Sequence, residues 1–260
     1  MPPHIEILYE DDECMVINKP AGLAVQGGAG VHTSLDSMLA RAYTPRPLLV
    51  HRLDRDTSGL ILVARNKSAA ARFSRLLGQD APAGASVAKQ YVAACAGAPE
   101  NAEGLIRIGL DVHGKQKNCE TRYATLHSAP LPPPMPLAAP ESATEGGSGR
   151  LPESCPAIFS VLELELASGR MHQIRRHLAL IGTPVLGDDK YGDFSLNKAL
   201  AKTMKLKRLL LHSFRLRIPP GLGVPPLDIR APLPAHFTAF LEQAGCGAES
   251  LPGYIASTVH

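Results

Sequence analysis

Apolar positions along this chain switch repeatedly between a period of two and a period near 3.6. Cys14-Met15-Val16-Ile17 predicts a short buried strand, stopped by Asn18-Lys19-Pro20 and Ala21-Gly22. A first strand is expected to begin before it, near Ile5. Ser34 is placed to cap a helix carrying Leu35, Met38, Leu39 and Ala42 on one face. Leu60 to Ala64 reads as a strand, and Ser68 as the cap of a helix with Phe73, Leu76 and Leu77 inward and Arg72 and Arg75 outward. Further strands are predicted at Lys89 to Cys95, Thr121 to Leu126 and Phe159 to Leu166, and in the basic stretch Arg208 to Ile218. Strands and helices mix without a regular βαβ period, so the expected class is α+β with a mixed sheet.

One segment has no periodic face. Ser128 to Pro156, rich in Pro, Ala, Gly and Ser, cannot offset the entropy of ordering and is expected to be a flexible surface insertion in a single domain spanning residues 1–260. Its ends are free to lie close together, because loop closure depends only weakly on length.

Composition narrows the function. With 45% hydrophobic and 20% charged residues the chain is globular, and no run approaches the ~20 apolar residues of a membrane span. The acidic start MPPHIEILYEDD lacks the layout of a signal peptide, so a cytoplasmic location is expected. The five cysteines are scattered and form no CxxC pair, which argues against a disulfide framework or a cysteine zinc site. His172 and His177 are five apart and do not match the i, i+4 spacing of a helical metal motif, so no metal site is expected.

The net charge of +3 conceals two basic windows. Between Asp193 and Asp228 lie Lys198, Lys202, Lys205, Lys207, Arg208, Arg215 and Arg217 with no acid; between Glu165 and Asp188 lie Arg170, Arg175 and Arg176. Such windows are either solvated faces or phosphate contacts.

His51-Arg52-Leu53-Asp54-Arg55-Asp56-Thr57-Ser58-Gly59 packs two carboxylates among two arginines and a histidine, between two apolar runs. Charged groups in such a place need partners or water. The knot is either a structural ion-pair cluster or an active-site loop that holds an ionised carboxylate for chemistry. It does not fit the Asp-x-Asp-x-Thr order of magnesium-dependent haloacid-dehalogenase phosphatases. Gly27-Gly28-Ala29-Gly30 matches neither a P-loop nor a dinucleotide fingerprint and reads as a turn.

Taken whole, HRLDRDTSG resembles the signature of the RluA-type family of RNA pseudouridine synthases. Further stretches resemble that family in order: Asn18-Lys19-Pro20-Ala21-Gly22, Lys89-Gln90-Tyr91-Val92-Ala93, Gly169-Arg170-Met171-His172-Gln173-Ile174-Arg175, Gly187-Asp188-Asp189-Lys190-Tyr191-Gly192 and Leu210-Leu211-His212. The resemblance runs from about Ile5 to Leu241. It implies a pseudouridine synthase fold, with a mixed, largely antiparallel sheet, flanking helices and a central catalytic cleft. It implies an isomerase that breaks the N1–C1′ bond of uridine, rotates the uracil and joins C5 to C1′, with no metal or other cofactor.

By the same resemblance Asp54 is the catalytic carboxylate and Arg175 its cationic partner, expected to lower the pKa of Asp54. Tyr91 is implied to stack on the uracil and take the C5 proton, Leu211 to wall the pocket, and Arg52 to help displace the flipped nucleotide. His51, Arg55, Arg170, His172, Gln173, Lys205 and Lys207 complete the expected RNA-contacting set. Helical arithmetic over Met171 to Ile181 puts Met171, Ile174, Leu178 and Ile181 on one apolar stripe, Arg175 at its edge and Arg176 further toward solvent.

A strand starting near Ile5 leaves no room for an N-terminal S4-like domain, so the RNA is expected to be held by the catalytic domain itself, acting as a monomer. The run GDDKYGDFSLNKALAKTMKLKRLLLH resembles most the subgroup that modifies large-subunit (23S) ribosomal RNA. Transfer RNA is the alternative substrate. A non-catalytic RNA-binding or ribosome-assembly protein is the alternative class, disfavoured because a pure binder has no need of Asp54, Tyr91 and Arg175 together.

Overall fold

A computed structural model of the protein describes residues 5–78, 87–112, 115–117, 119–132, 158–166, 169–247 and 250–256. Most of the expected insertion, residues 133–156, lies outside the described residues. In chain order the elements are β1 (Glu6–Glu10), β2 (Cys14–Lys19), α1 (Leu35–Ala42), β3 (Leu48–Leu49), β4 (Ser58–Ala64), α2 (Lys67–Leu77), β5 (Ala88–Ala96), β6 (Glu103–Arg107), β7 (Leu110–Val112), β8 (Lys115–Lys117), β9 (Glu120–Pro130), β10 (Ile158–Leu166), α3 (Gln173–Leu180), α4 (Phe194–Thr203), β11 (Leu211–Ile218), β12 (Leu227–Arg230), α5 (Ala235–Gln243) and the short α6 (Gly253–Ala256).

Ten strands form one sheet in the order β1-β2-β4-β11-β5-β10-β9-β6, with β3 beside β4 and β12 beside β11; β7 and β8 pair separately. Every pairing is antiparallel except β4 with β11, which is parallel through His212↔Ser58 and Ser213↔Gly59. The fold is therefore α+β with a mixed, mostly antiparallel sheet. The unbroken apolar runs Cys14–Ile17 and Leu60–Ala64 follow from the position of β2 and β4, which are covered on both faces. On one face Ile17, Ile61, Ala93 and Leu162 pack with Leu35 and Leu39 of α1 and Ile174 and Leu178 of α3. On the other, α2 covers Val16, Leu60 and Leu62, while α5 covers Phe159, Val161 and Phe214.

Three boundaries differ from expectation. Ser34 does cap α1, in a reciprocal box with Ser37, but α2 is capped by Asn66 and not Ser68: the Asn66 Oδ1 accepts from the Ala69 N–H at 2.8 Å. Ser128, Ala129 and Pro130 are not part of the insertion but the end of β9, where Pro130 pairs with Ile158. The insertion thus leaves and re-enters the sheet at adjacent strands. The helix expected from Met171 begins only at Gln173. Among the described residues no helix is long and apolar enough to cross a membrane.

Candidate active site

The parallel β4–β11 junction joins the two halves of the sheet, and the loop that leads into it carries Asp54. Gly59 sits at φ +105°, where a Cβ would collide with the Ser213 carbonyl, so only glycine allows the two backbones to approach this closely. Ser58 Oγ and His212 Nδ1, 2.9 Å apart, fasten the same junction, and burial pushes His212 down to about 4. At the other end of the loop, the fully buried Lys19 donates to the carbonyls of Pro20 (3.1 Å), Leu23 (2.9 Å) and Arg55 (3.0 Å). Burial lowers Lys19 to about 7 against the pull of Asp56 and Asp54, and three carbonyls match the three N–H of its charged form. The Gly22 N–H also donates to Arg55 O at 2.9 Å. The NKPAG and HRLDRDTSG stretches are thus one clasped unit.

Asp54 emerges from this unit with its carboxylate 17% exposed, facing α3. His172 and Arg175 approach it, with His172 Nε2 at 3.8 Å from Oδ1 and Arg175 Nη1 at 3.9 Å from Oδ2. Arg175 is itself gripped from behind. Its Nε and Nη2 donate to the two oxygens of the buried Asp188, both at 2.7 Å, and Nη2 also reaches Asp189 Oδ1 at 3.2 Å. Asp188 Oδ1 accepts as well from the Lys190 and Tyr191 N–H groups, both at 2.9 Å. A planar guanidinium held by two parallel bonds has one orientation, and here that orientation turns Nη1 toward Asp54.

The segment before α3 is a turn, not the first turn of the helix. Gln173 Oε1 accepts from the Arg170 N–H at 3.1 Å, and its Nε2 donates to Glu120 O at 2.8 Å and reaches Thr121 Oγ1 at 3.2 Å. That docking on β9 leaves His172 in the left-handed region, φ 54°, with Nδ1 at 3.1 Å from Tyr191 OH and Nε2 toward Asp54. Met171, expected on the apolar stripe, is instead 55% exposed at the mouth of the cleft. Ile174 and Leu178 do face the core, and Arg175 is buried where Arg176 is not.

Tyr91 of β5 and Leu211 of β11 close the third side. A cavity of about 130 Å³ is bounded by Arg52, Asp54, Tyr91, His172, Arg175 and Leu211, together with Arg170 and Gln173. Burial pushes Tyr91 up to about 12 against a hydrogen bond from Ser213, so at neutral pH it is a phenol and not a phenolate.

Not every expected contact residue faces this cavity. His51 Nε2 accepts the Leu62 N–H at 2.9 Å and burial pushes the ring down to about 3: it extends the β4 ladder and is committed to the fold. Arg55 is turned away, its Nε donating to Gly22 O at 3.2 Å. Gln173 lines the cavity, but its amide is engaged by the protein, which suits it to hold α3 and not a ligand. Arg170 does line the cavity, with a buried Nε that has no hydrogen-bond partner among the described residues. Lys205 and Lys207 are exposed outside it. In the other direction, Asp188 and Tyr191 are central here. The GDDKYG stretch marks them, yet nothing in its spacing says that the first Asp is buried under an arginine.

Arg175 does pull the Asp54 carboxyl down, as expected, but burial outweighs it. The Asp54 carboxyl lies above its usual value because burial outweighs His172, Arg175, Arg52 and Lys19. Asp188 lies below its usual value, because hydrogen bonds from Arg175 and from the Tyr191 and Lys190 N–H groups outweigh its burial. The charge of Arg175 is largely answered by Asp188, leaving less for Asp54.

The two carboxyls therefore titrate apart. If the reaction requires ionised Asp54, activity falls with an acid limb above pH 3.8. The stability supplied by Asp188 is present above 3.8 and lost only as pH falls through its depressed value. A pH titration of kcat/KM beside circular dichroism is expected to show activity lost reversibly while the fold persists; coincident loss of both contradicts it.

The sequence profile of the RNA pseudouridylate synthase family matches residues 13–180, which hold the clasped loop, Tyr91 and Arg175. The chain belongs to this family. It is an RNA pseudouridine synthase, an isomerase whose substrate is RNA. The ribosomal large subunit pseudouridine synthase C of Rickettsia felis is 33% identical over 239 residues, covering 89% of this chain and 68% of that protein. The mitochondrial pseudouridylate synthase RPUSD4 of Xenopus tropicalis is 31% identical over 266 residues, covering 92% and 80%. The solved structure of human RNA pseudouridylate synthase domain containing 4 superposes with a TM-score of 0.66 over 92% of this chain and 93% of that one, at 23% identity, and shows the same fold.

Proposed function

We propose that this pseudouridine synthase modifies uridines of large-subunit ribosomal RNA, as a cytoplasmic monomer, with Asp54 as the catalytic carboxylate. The observation that carries the site assignment is the convergence of Asp54, Arg175, Tyr91 and Leu211 on one cavity from four separate segments of the chain. In support of the substrate, the Rickettsia felis relative is named for the ribosomal large subunit.

The target uridine leaves its stack and enters the cavity, with Arg52 at the rim helping to displace it. Uracil lies between Tyr91 and Leu211. Asp54 either adds to C1′ or removes the 2′ proton, and in both routes the N1–C1′ bond breaks, the uracil turns, and C5 joins C1′. Arg175, fixed by Asp188, keeps positive charge at the carboxylate while burial keeps Asp54 basic enough to accept a proton. Tyr91, protonated at rest, takes the C5 proton on its oxygen as it hands on its own, and the proton lost from C5 is balanced by the one gained at N1, the nitrogen freed when the glycosidic bond breaks. His172, with Tyr191 OH on Nδ1, is placed to orient Asp54 through Nε2.

The purified protein, offered separate transcripts of large-subunit rRNA, small-subunit rRNA and a tRNA pool, is expected to form pseudouridine in the first. Conversion of the tRNA pool alone would overturn the substrate assignment. The double change Lys205→Ala, Lys207→Ala is expected to weaken RNA binding and to lower the slope of log affinity against log salt by about 1–2. An unchanged slope in a salt titration would make that window a solvated face.

A further inference from the structure

A second cavity, of about 140 Å³ against the 130 Å³ of the cleft, shares no lining residue with it. Its walls include Ala21, Asp56, Gly187, Asp189, Lys207 and Arg208, drawn from three of the family-like stretches and from the basic window, and none of them lines the uridine cavity. The site is built by close backbone approach. Gly187 lies at φ +75°, where any Cβ would strike the Arg208 carbonyl. Gly22 lies at φ +87°, where a Cβ would stand 2.8 Å from Arg208 Nη1, and without it the guanidinium donates to Ala21 O at 2.9 Å. Asp189 connects the two cavities, since its Oδ1 accepts from Arg175 Nη2 at 3.2 Å.

Resting on the reading of the chain as an RNA-modifying enzyme, we propose that this cavity is a specificity subsite that takes the base of a guanosine near the target uridine. The lining presents two carboxylates and two cations within one small space. A phosphate group would meet Asp56 and Asp189 as like charges, so the cavity suits a neutral ring with both donor and acceptor edges. Guanine alone among the four bases sets two adjacent donors, N1–H and N2–H, against a single carboxylate, and N7 and O6 against Arg or Lys. Adenine and cytosine offer one amino group, and uracil one imino group. Engagement of Asp189 by the guanosine would be felt at Arg175, so recognition of the neighbour and alignment of the catalytic pair share one residue.

The test is an RNA hairpin pool with a fixed loop uridine and randomised flanks, retained on filters by the full-length protein and sequenced. Guanine is expected to be enriched about tenfold at one fixed offset. Inosine, which lacks the 2-amino group, and 7-deazaguanine, which lacks N7, are each expected to reduce retention there. Asp56→Asn and, independently, Arg208→Met are expected to abolish the enrichment while retaining circular dichroism. A pool without guanine enrichment, or one whose enrichment survives both changes, overturns the subsite. Conversion of the pool to pseudouridine is scored separately: binding with the guanine preference but no conversion counts against the enzyme's substrate range and leaves the subsite standing.

Discussion

Asp54→Asn is expected to leave a folded protein that binds RNA with nearly unchanged affinity and turns over at least about 10³-fold more slowly. The side chain keeps its shape and loses only its charge and basicity, so stacking and phosphate contacts are untouched. Its stability is expected to be unchanged or higher. The Asp54 pKa is raised by burial, so the folded state prefers the neutral form. The cost of holding the carboxylate is absent below pH 3.8 and reaches its full size only above the raised folded value. Removing the charge removes that cost, and a thermal melt at pH 7 beside a single-turnover assay checks both halves. A variant that is inactive because it melts early would contradict the assignment of Asp54 as catalytic and not structural.

The complementary change, Asp188→Ala, is expected to cost about 3–5 kcal/mol of stability, because it strands a guanidinium that is 4% exposed. It also removes the acceptor of the Lys190 and Tyr191 N–H groups. Arg175 loses the two bonds that set its orientation and is left with Asp189 and Asp54. Asp188→Asn keeps one acceptor oxygen for those N–H groups and is expected to fold better than the alanine variant while still losing kcat, with KM for RNA little changed. If Asp188→Asn lowers stability but leaves kcat intact, Asp188 holds the fold and does not position Arg175. Arg175→Lys is expected to resemble it, since an ammonium cannot reproduce the fork.

These two residues show what the sequence makes legible. Asp54 stands out because charge is dense between two apolar runs, a pattern that periodicity alone makes conspicuous. Asp188 does not, since its significance is burial against a helix thirteen positions earlier, and linear spacing carries no burial. His51 marks the opposite failure. Three residues before Asp54 it reads as an RNA contact, yet its nitrogen completes the hydrogen bonding of Leu62. The strands of the sheet centre were readable because both faces are covered, whereas β6, half exposed, carries no clear period and β12 alternates over only four residues, too few to stand out. Met171 shows the limit of helical arithmetic: the stripe is correct from Ile174 onward, but the amide of Gln173 ties down the preceding turn and sends Met171 outward.

The central claim is that Asp54, held between the clasped loop and α3, drives uridine isomerisation at particular RNA sites. Transcriptome-wide carbodiimide mapping of pseudouridine tests it most directly, in cells lacking the protein and in the same cells complemented with wild type or Asp54→Asn. The account predicts that specific sites, in large-subunit ribosomal RNA, vanish in the deletion and return only with wild type. Restoration of those sites by Asp54→Asn, or no change at any site in the deletion, would contradict it.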